Sequence, residues 1–265
     1  MILLSFFLAT ALMALLLFFV KHKAFHFIIV AAYLVIHSFV TVFAWEHINS
    51  FDSNYFKFDS LSVLLSGLLS LILFPIFFHT RYYLQRHIPD RNMKGRFLSL
   101  LMILSTGITG IYFADNVVII WVCLEVTTVA VTFLIYHERY TAALEAAWKY
   151  LFISSFGITL AFIGILFLSV QYKSGSEVSL SFSHLLSVAQ HLDPLFLKAS
   201  FLMLITGYSI KLNLFPLYAA TIDAKTTAPF PVNALTSTAL INGGFVAIFR
   251  IYLVISQTDA VKWAN

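Results

Sequence analysis

The chain has 265 residues, 60% of them apolar and 11% charged, with a mean hydropathy of +0.91 and a formal net charge of +4. Soluble domains carry about 25% charged residues, and a chain this short of charge has too little polar surface to face water. The composition therefore excludes a soluble enzyme, a nucleic-acid binder and a disordered protein. The single cysteine, Cys123, excludes an intramolecular disulfide and any multi-cysteine metal or iron–sulfur site.

A membrane-crossing helix needs roughly 20 apolar residues. The first such run is 1–20, closed by Lys21-His22-Lys23. Its charge follows the apolar stretch, which reads as a retained helix, not a secretory signal. The second run is 25–45 and the third 61–78, where Asp59 or Ser60 is placed to cap the helix start. The fourth is 97–113, and Asp115-Asn116 turns the chain into the fifth, 117–136. The sixth covers 142–170, the seventh 195–215 and the eighth 232–255, with a surface helix expected at 183–191 inside the longest connection. The fold class is all-α: a polytopic transmembrane helix bundle of about eight spans.

Orientation follows from lysine and arginine. One set of loops holds Lys21, Lys23, Arg81, Arg86, Arg91, Lys94, Arg96, Arg139 and Lys225; the opposite set holds Lys57, Lys173, Lys198 and Lys262. The positive-inside bias makes the first set cytoplasmic and puts both termini outside. The acids Glu46, Asp52, Asp59, Asp115, Glu177 and Asp193 crowd the other side. The protein is expected in a bacterial cytoplasmic membrane.

Charges at lipid depth are expensive and by default functional. Glu125 sits mid-span in Trp121-Val-Cys-Leu-Glu-Val-Thr-Thr, with Thr128 one turn away and placed to donate to it. The bland reading is an interhelical hydrogen-bonding acid. Lys211 lies in Gly207-Tyr-Ser-Ile-Lys-Leu-Asn-Leu-Phe-Pro216. Pro216 has no N–H for the carbonyl of Leu212, so the seventh helix should be broken beside the lysine. Broken helices are tolerated where they line a polar cavity. The alternative is a lysine that snorkels to the interface. Lys149 is either a third buried cation or a surface partner of Glu145, four residues earlier. Arg250 is near the outer end of its span and is expected to snorkel outward. His37 is mid-span, and alone it reads as a hydrogen-bonding core residue. No histidine pair has metal-ligand spacing, and there is no phosphate loop, dinucleotide fingerprint or nucleophile elbow. No cofactor is expected.

Several stretches together resemble one family. Glu125 in its motif, Glu145-Ala-Ala-Trp-Lys-Tyr-Leu-Phe-Ile-Ser-Ser-Phe-Gly157, Lys211-Leu-Asn-Leu-Phe-Pro-Leu-Tyr218, Asp223-Ala224 and Ala228-Pro-Phe-Pro-Val-Asn-Ala-Leu235 are similar, in order and spacing, to the antiporter-like membrane subunits of respiratory complex I. The same family includes subunits of membrane-bound hydrogenases, the hydrogenase-4 type among them, and of multisubunit cation/proton antiporters. Tyr55-Phe-Lys-Phe-Asp-Ser-Leu-Ser62 resembles the approach to the third helix. The resemblance implies a proton-translocating subunit in which Glu125, Lys211 and Lys149 form a half-channel. It implies peripheral helices over 1–94 and a five-helix unit over 95–256 within one membrane domain. It also implies partner membrane subunits of a respiratory, hydrogenase or antiporter complex, with the lipid bilayer around them, and no nucleic acid.

Two departures stand out. The family's Pro-Leu-His-Thr-Trp-Leu-Pro-Asp-Ala is here Pro216-Leu-Tyr-Ala-Ala-Thr-Ile-Asp-Ala224. The chain also carries only the first of the two inverted units expected. That leaves a truncated or split product, or a reduced subunit that needs a partner. A non-conducting scaffold and a stand-alone secondary transporter are the rival readings.

Overall fold

A long apolar run in lipid satisfies its own backbone N–H and C=O groups only by forming an α-helix. The computed structural model of the chain describes residues 1–20, 23–88, 91–170, 179–214 and 218–257. In chain order these form α1 (Ile2–Phe19), α2 (Lys23–Glu46), β1 (Phe51–Ser53), β2 (Phe56–Lys57), α3 (Ser60–His87), α4 (Arg91–Phe113), α5 (Val117–Ile135), α6 (Thr141–Val170), α7 (Phe182–Val188), α8 (Pro194–Ser209), α9 (Ala219–Thr227), α10 (Phe230–Leu235) and α11 (Ile241–Ser256). A π-turn over Thr236–Leu240 joins α10 and α11 into one apolar helix, Phe230–Ser256.

Seven helices among the described residues are long and apolar enough to cross a membrane. The eighth apolar segment, α8, has 16 residues. At 1.5 Å per residue it is about 24 Å long, short of a hydrocarbon core of about 30 Å. The seventh span is therefore cut short, as expected of a broken helix. The small antiparallel hairpin, pairing Phe51 with Lys57 and Ser53 with Phe56, was not expected from the pattern.

Polar side chains set the helix starts. Asp59 accepts from the Ser62 N–H at 2.7 Å and Asn116 from Val118 at 2.9 Å. Asp193 accepts from Leu195 at 2.8 Å, just before Pro194 opens α8. Asp52 does the same for α1 from a distance, accepting from Ile2 and Leu3 at 2.8 and 3.0 Å.

The two helices in closest contact are α6 and α8, which meet through glycines. A Cβ on Gly207 would run into the Gly157 carbonyl, and one on Gly164 would lie 2.9 Å from the Ser200 carbonyl. Small residues let helix backbones touch where no hydrophobic force drives association in lipid. Ser200 Oγ uses the approach to donate to the Gly164 carbonyl at 2.7 Å. Helices α2, α3 and α4 are joined by hydroxyls instead. His37 on α2 bonds Ser70 on α3 at 2.9 Å and Thr109 on α4 at 3.0 Å, and Tyr33 bonds Ser105 at 2.7 Å. His37 is thus a satisfied core histidine with both ring nitrogens engaged.

One end of the bundle is acidic. Asp115 accepts from Ser181 and, at 2.9 Å, from Ser183, while its carbonyl accepts from the Phe182 N–H at 2.7 Å. Arg250 lies in this cluster and is 6% exposed. Its guanidinium donates to Asp59 Oδ2 at 3.0 Å, Ser62 Oγ at 2.8 Å, the Tyr112 carbonyl at 2.7 Å and the Ala114 carbonyl. The expectation that Arg250 snorkels outward is corrected: neighbouring elements close over it and supply four acceptors. At the opposite, basic end Arg81 sits over the Phe27 ring and Arg96 over the Phe18 ring, both at 5.1 Å.

Candidate functional site

Lys211 is 4% exposed, and three segments make its surroundings. Helix α8 ends at Ser209, two residues before it. The Lys211 N–H then turns back to the Tyr208 carbonyl at 3.0 Å, and Leu214 N–H reaches the Ser209 carbonyl at 3.1 Å. Asn213 takes a left-handed φ of 58°, a conformation that Asn tolerates better than most residues. The helical ladder is therefore interrupted within 210–214, beside the lysine, as the sequence leads one to expect. Pro216, named as the breaker, lies in 215–217, outside the described residues. Across the gap, Gly244 of α11 lets its backbone come close: a Cβ there would lie 3.0 Å from Lys211 Cβ.

Facing helices supply the ammonium's partners. Lys211 Nζ donates to Thr128 Oγ1 of α5 at 2.7 Å and to Tyr150 Oη of α6 at 3.2 Å, and lies 5.2 Å from the Tyr150 ring centre. Two hydroxyl oxygens and a π-face are weak compensation for a buried cation. Thr128 is not the donor to Glu125 that the sequence suggests. Its hydroxyl gives its proton to the Leu124 carbonyl at 2.9 Å and its lone pair to the lysine.

Glu125 stands midway along α5, one turn from Thr128. It makes no ion pair with Lys211 among the described residues, and its Oε2 is buried without a hydrogen-bond partner. Ser154 Oγ, one turn beyond Tyr150 on α6, and Tyr208 Oη, three residues before Lys211, are also buried and unpartnered. Lys149 is elsewhere: its side chain is 48% exposed and pairs with Glu145 at 2.7 Å and Asp223 at 3.1 Å. The structure thus places the Lys211 ammonium against Thr128, one turn along α5 from Glu125, and places Lys149 on the surface as a tie between α6 and α9.

A cavity of about 20 Å³ adjoins Lys211, room for a water molecule. Its polar lining is Tyr150, Lys211, Asn213, Thr221, Lys225 and Thr236. Lys225, one of the basic-end cations, is part of its wall. Thr236 and Leu240 come from the π-turn, whose Ala239 carbonyl is taken by Tyr112 Oη at 2.7 Å. An interrupted ladder of this kind recurs at functional sites. Sequence reasoning missed Tyr150 and the π-turn. Tyr150 sits in a run of aromatic and aliphatic residues with nothing to separate it from a lipid-facing ring, and no residue type marks a π-turn.

Over residues 114–265, more than half its length, the sequence matches the transmembrane family described as NADH:quinone oxidoreductase/Mrp antiporter. The chain belongs to this family. It is 27% identical over 210 residues to a hydrogenase-4 component F homolog of Methylacidiphilum infernorum, covering 77% of this chain and 44% of that one. It is 26% identical over 165 residues to NADH-quinone oxidoreductase subunit N of Myxococcus xanthus, covering 62% of this chain and 31% of that one. Its fold matches a chain of the membrane-bound sulfane sulfur reductase, an archaeal respiratory membrane complex, with a TM-score of 0.82 over 99% of this chain and 55% of the other. At 18% identity that likeness is one of fold. The chain spans about half or less of the length of each of these proteins. The family read from Glu125, Lys211 and their flanking motifs is borne out, and with it an integral membrane protein related to subunits of multisubunit complexes.

Proposed function

We propose that the chain moves protons, or another small cation, across part of the membrane as a subunit of a respiratory, hydrogenase or antiporter complex. Lys211 and Glu125 are the charge-bearing pair. The observation that carries this is a lysine buried at a helix break, held by two hydroxyls among the described residues, beside a water-sized cavity that Lys225 also lines. The unpartnered oxygens of Glu125, Ser154 and Tyr208 support a hydrated interior, since leaving such an atom bare costs about 1–3 kcal/mol. The hydroxyls of Thr128 and Tyr150 hold the ammonium, and Thr128 is one turn along α5 from Glu125, so movement of the segment after α8 along α5 would bring the pair together. Contact favours the charged lysine, and separation favours proton release. We further assign α1–α3 a peripheral role, since every residue of the pair and its hydroxyl partners falls within 95–256. Electron transfer, in any complex that performs it, belongs to other subunits.

The test is ion flux in vesicles holding the assembled complex. Lys211→Met is expected to abolish translocation and Glu125→Gln to lower it at normal expression. Unchanged flux in both would refute the pair and leave a scaffold.

A further inference from the structure

Two grooves at the basic end of the bundle flank α4, and the translocation reading uses neither. One lies between α2, α3 and α4, has a volume of about 590 Å³, and is lined by His26, Phe27, Phe74, Phe78, Arg81 and Lys94 among others. The other lies against α1, α4 and α5, has a volume of about 780 Å³, and includes Leu15, Phe18, Phe133, Arg96 and Arg139. Both fall in the range of small-molecule sites, about 300–1,000 Å³. Their construction is the same. Each has two lysine or arginine side chains at the basic end and an apolar, aromatic wall running deeper. No carboxylate lines either one among the described residues. In each, an arginine is laid over a phenylalanine at 5.1 Å: Arg81 on Phe27, Arg96 on Phe18.

We infer that these grooves bind anionic phospholipids, one in each, from the leaflet on the basic side. The ring beneath each guanidinium holds it by a cation–π contact and leaves N–H groups for phosphate oxygens, which arginine engages through two bonds at once. Phe74, Phe78 and Phe133 are exposed on the bundle's outer face, so the deeper walls open to hydrocarbon and suit acyl chains. Those walls already sit in lipid, so apolar contact adds little preference for one lipid over another. Selectivity then rests on the cations. Each basic side chain near the membrane surface favours an anionic lipid by about fivefold, the factor that about 1 kcal/mol gives. A zwitterionic headgroup carries its own compensating charge and loses that advantage. This inference does not depend on the translocation pathway.

Native mass spectrometry of the full chain, with the subunits that copurify, tests it in an equimolar mixture of phosphatidylglycerol and phosphatidylcholine. Two phosphatidylglycerol molecules should be retained in preference to phosphatidylcholine. Arg81 and Arg96 are both exposed, so replacing them leaves the core intact. Arg81→Gln and Arg96→Gln should each weaken one site about fivefold, and the double variant both, whereas Arg81→Lys, which keeps the charge but loses the two-bond fork, should weaken its site less than Arg81→Gln. Equal retention of the two lipids, or unchanged retention in the double variant, overturns the inference. A photo-crosslinker at Phe78 or Phe133 checks the other occupant. Capture of a neighbouring subunit instead of lipid also overturns it.

Discussion

Arg250→Met removes the guanidinium, which sits over the Phe182 ring at 5.8 Å, and keeps most of the apolar stem. Its effect can be worked out acceptor by acceptor. The Tyr112 carbonyl keeps the Ser62 hydroxyl. Asp59 keeps the Ser62 N–H on Oδ1 and, with a side chain 33% exposed, can draw water to Oδ2. Losing that partly screened pair is worth about 1 kcal/mol. The Ala114 carbonyl is left bare in the interior, at about 1–3 kcal/mol. The sum is about 2–4 kcal/mol, below the roughly 3–5 kcal/mol of breaking a fully buried ion pair. For a chain of this size, each kcal/mol lowers the midpoint by about 2–4 °C, so unfolding should fall by about 4–16 °C. Tryptophan fluorescence during heating in nanodiscs measures this. A double-mutant cycle with Asp59→Asn should return a coupling energy above about 0.5 kcal/mol. A midpoint unchanged or raised would refute the reasoning, because it would mean that desolvating the guanidinium cancels all its bonds.

Three further outcomes are expected. Gly244→Ala should slow translocation without unfolding the chain, because the new Cβ would lie 3.0 Å from Lys211 Cβ and displace the lysine; the readout is flux per folded protein. Gly207→Ala should reduce the yield of folded protein, because its methyl would meet the Gly157 carbonyl, a backbone atom that cannot move aside. Lys149→Gln breaks two exposed, solvent-screened ion pairs and should leave flux within about twofold of wild type; a complete loss would return Lys149 to the pathway.

The helices were legible because each apolar run is long and ends at a charge or a capping residue. Asp59 and the turn at Asp115-Asn116 sit where the sequence places them. Glu125 and Lys211 were legible because charge at lipid depth is conspicuous. Their partners were not. A threonine that both donates to its own helix and accepts from a distant lysine looks the same in sequence as one that only donates. The fate of Lys149 and Arg250 was equally hidden. Both lie within a few turns of a span end, where depth alone does not separate snorkelling from burial. What separates them is the surroundings: α9 brings Asp223 to Lys149 at the surface, whereas α3 and the 112–114 segment close over Arg250.

The two ends of the bundle differ in how firmly they are closed, and that bears on where a hydrated path can open. The acidic end is tied by side chains that are mostly buried: Arg250 with four acceptors, Asp115 with two serines, and Asp52 on the start of α1. Opening there exposes charges and carbonyls that have lost their partners. At the basic end α9 has nine residues and is tied to α6 by the half-exposed Lys149–Asp223 pair. Ties of that kind contribute little in water, and local opening follows the least stable contacts. The cavity beside Lys211 is walled on one side by α9, which carries Thr221 and Lys225 of its lining. Under the proposed function, Lys211 would therefore exchange with water most easily through the region around α9, and the bonded acidic end would keep that access from becoming an open pore.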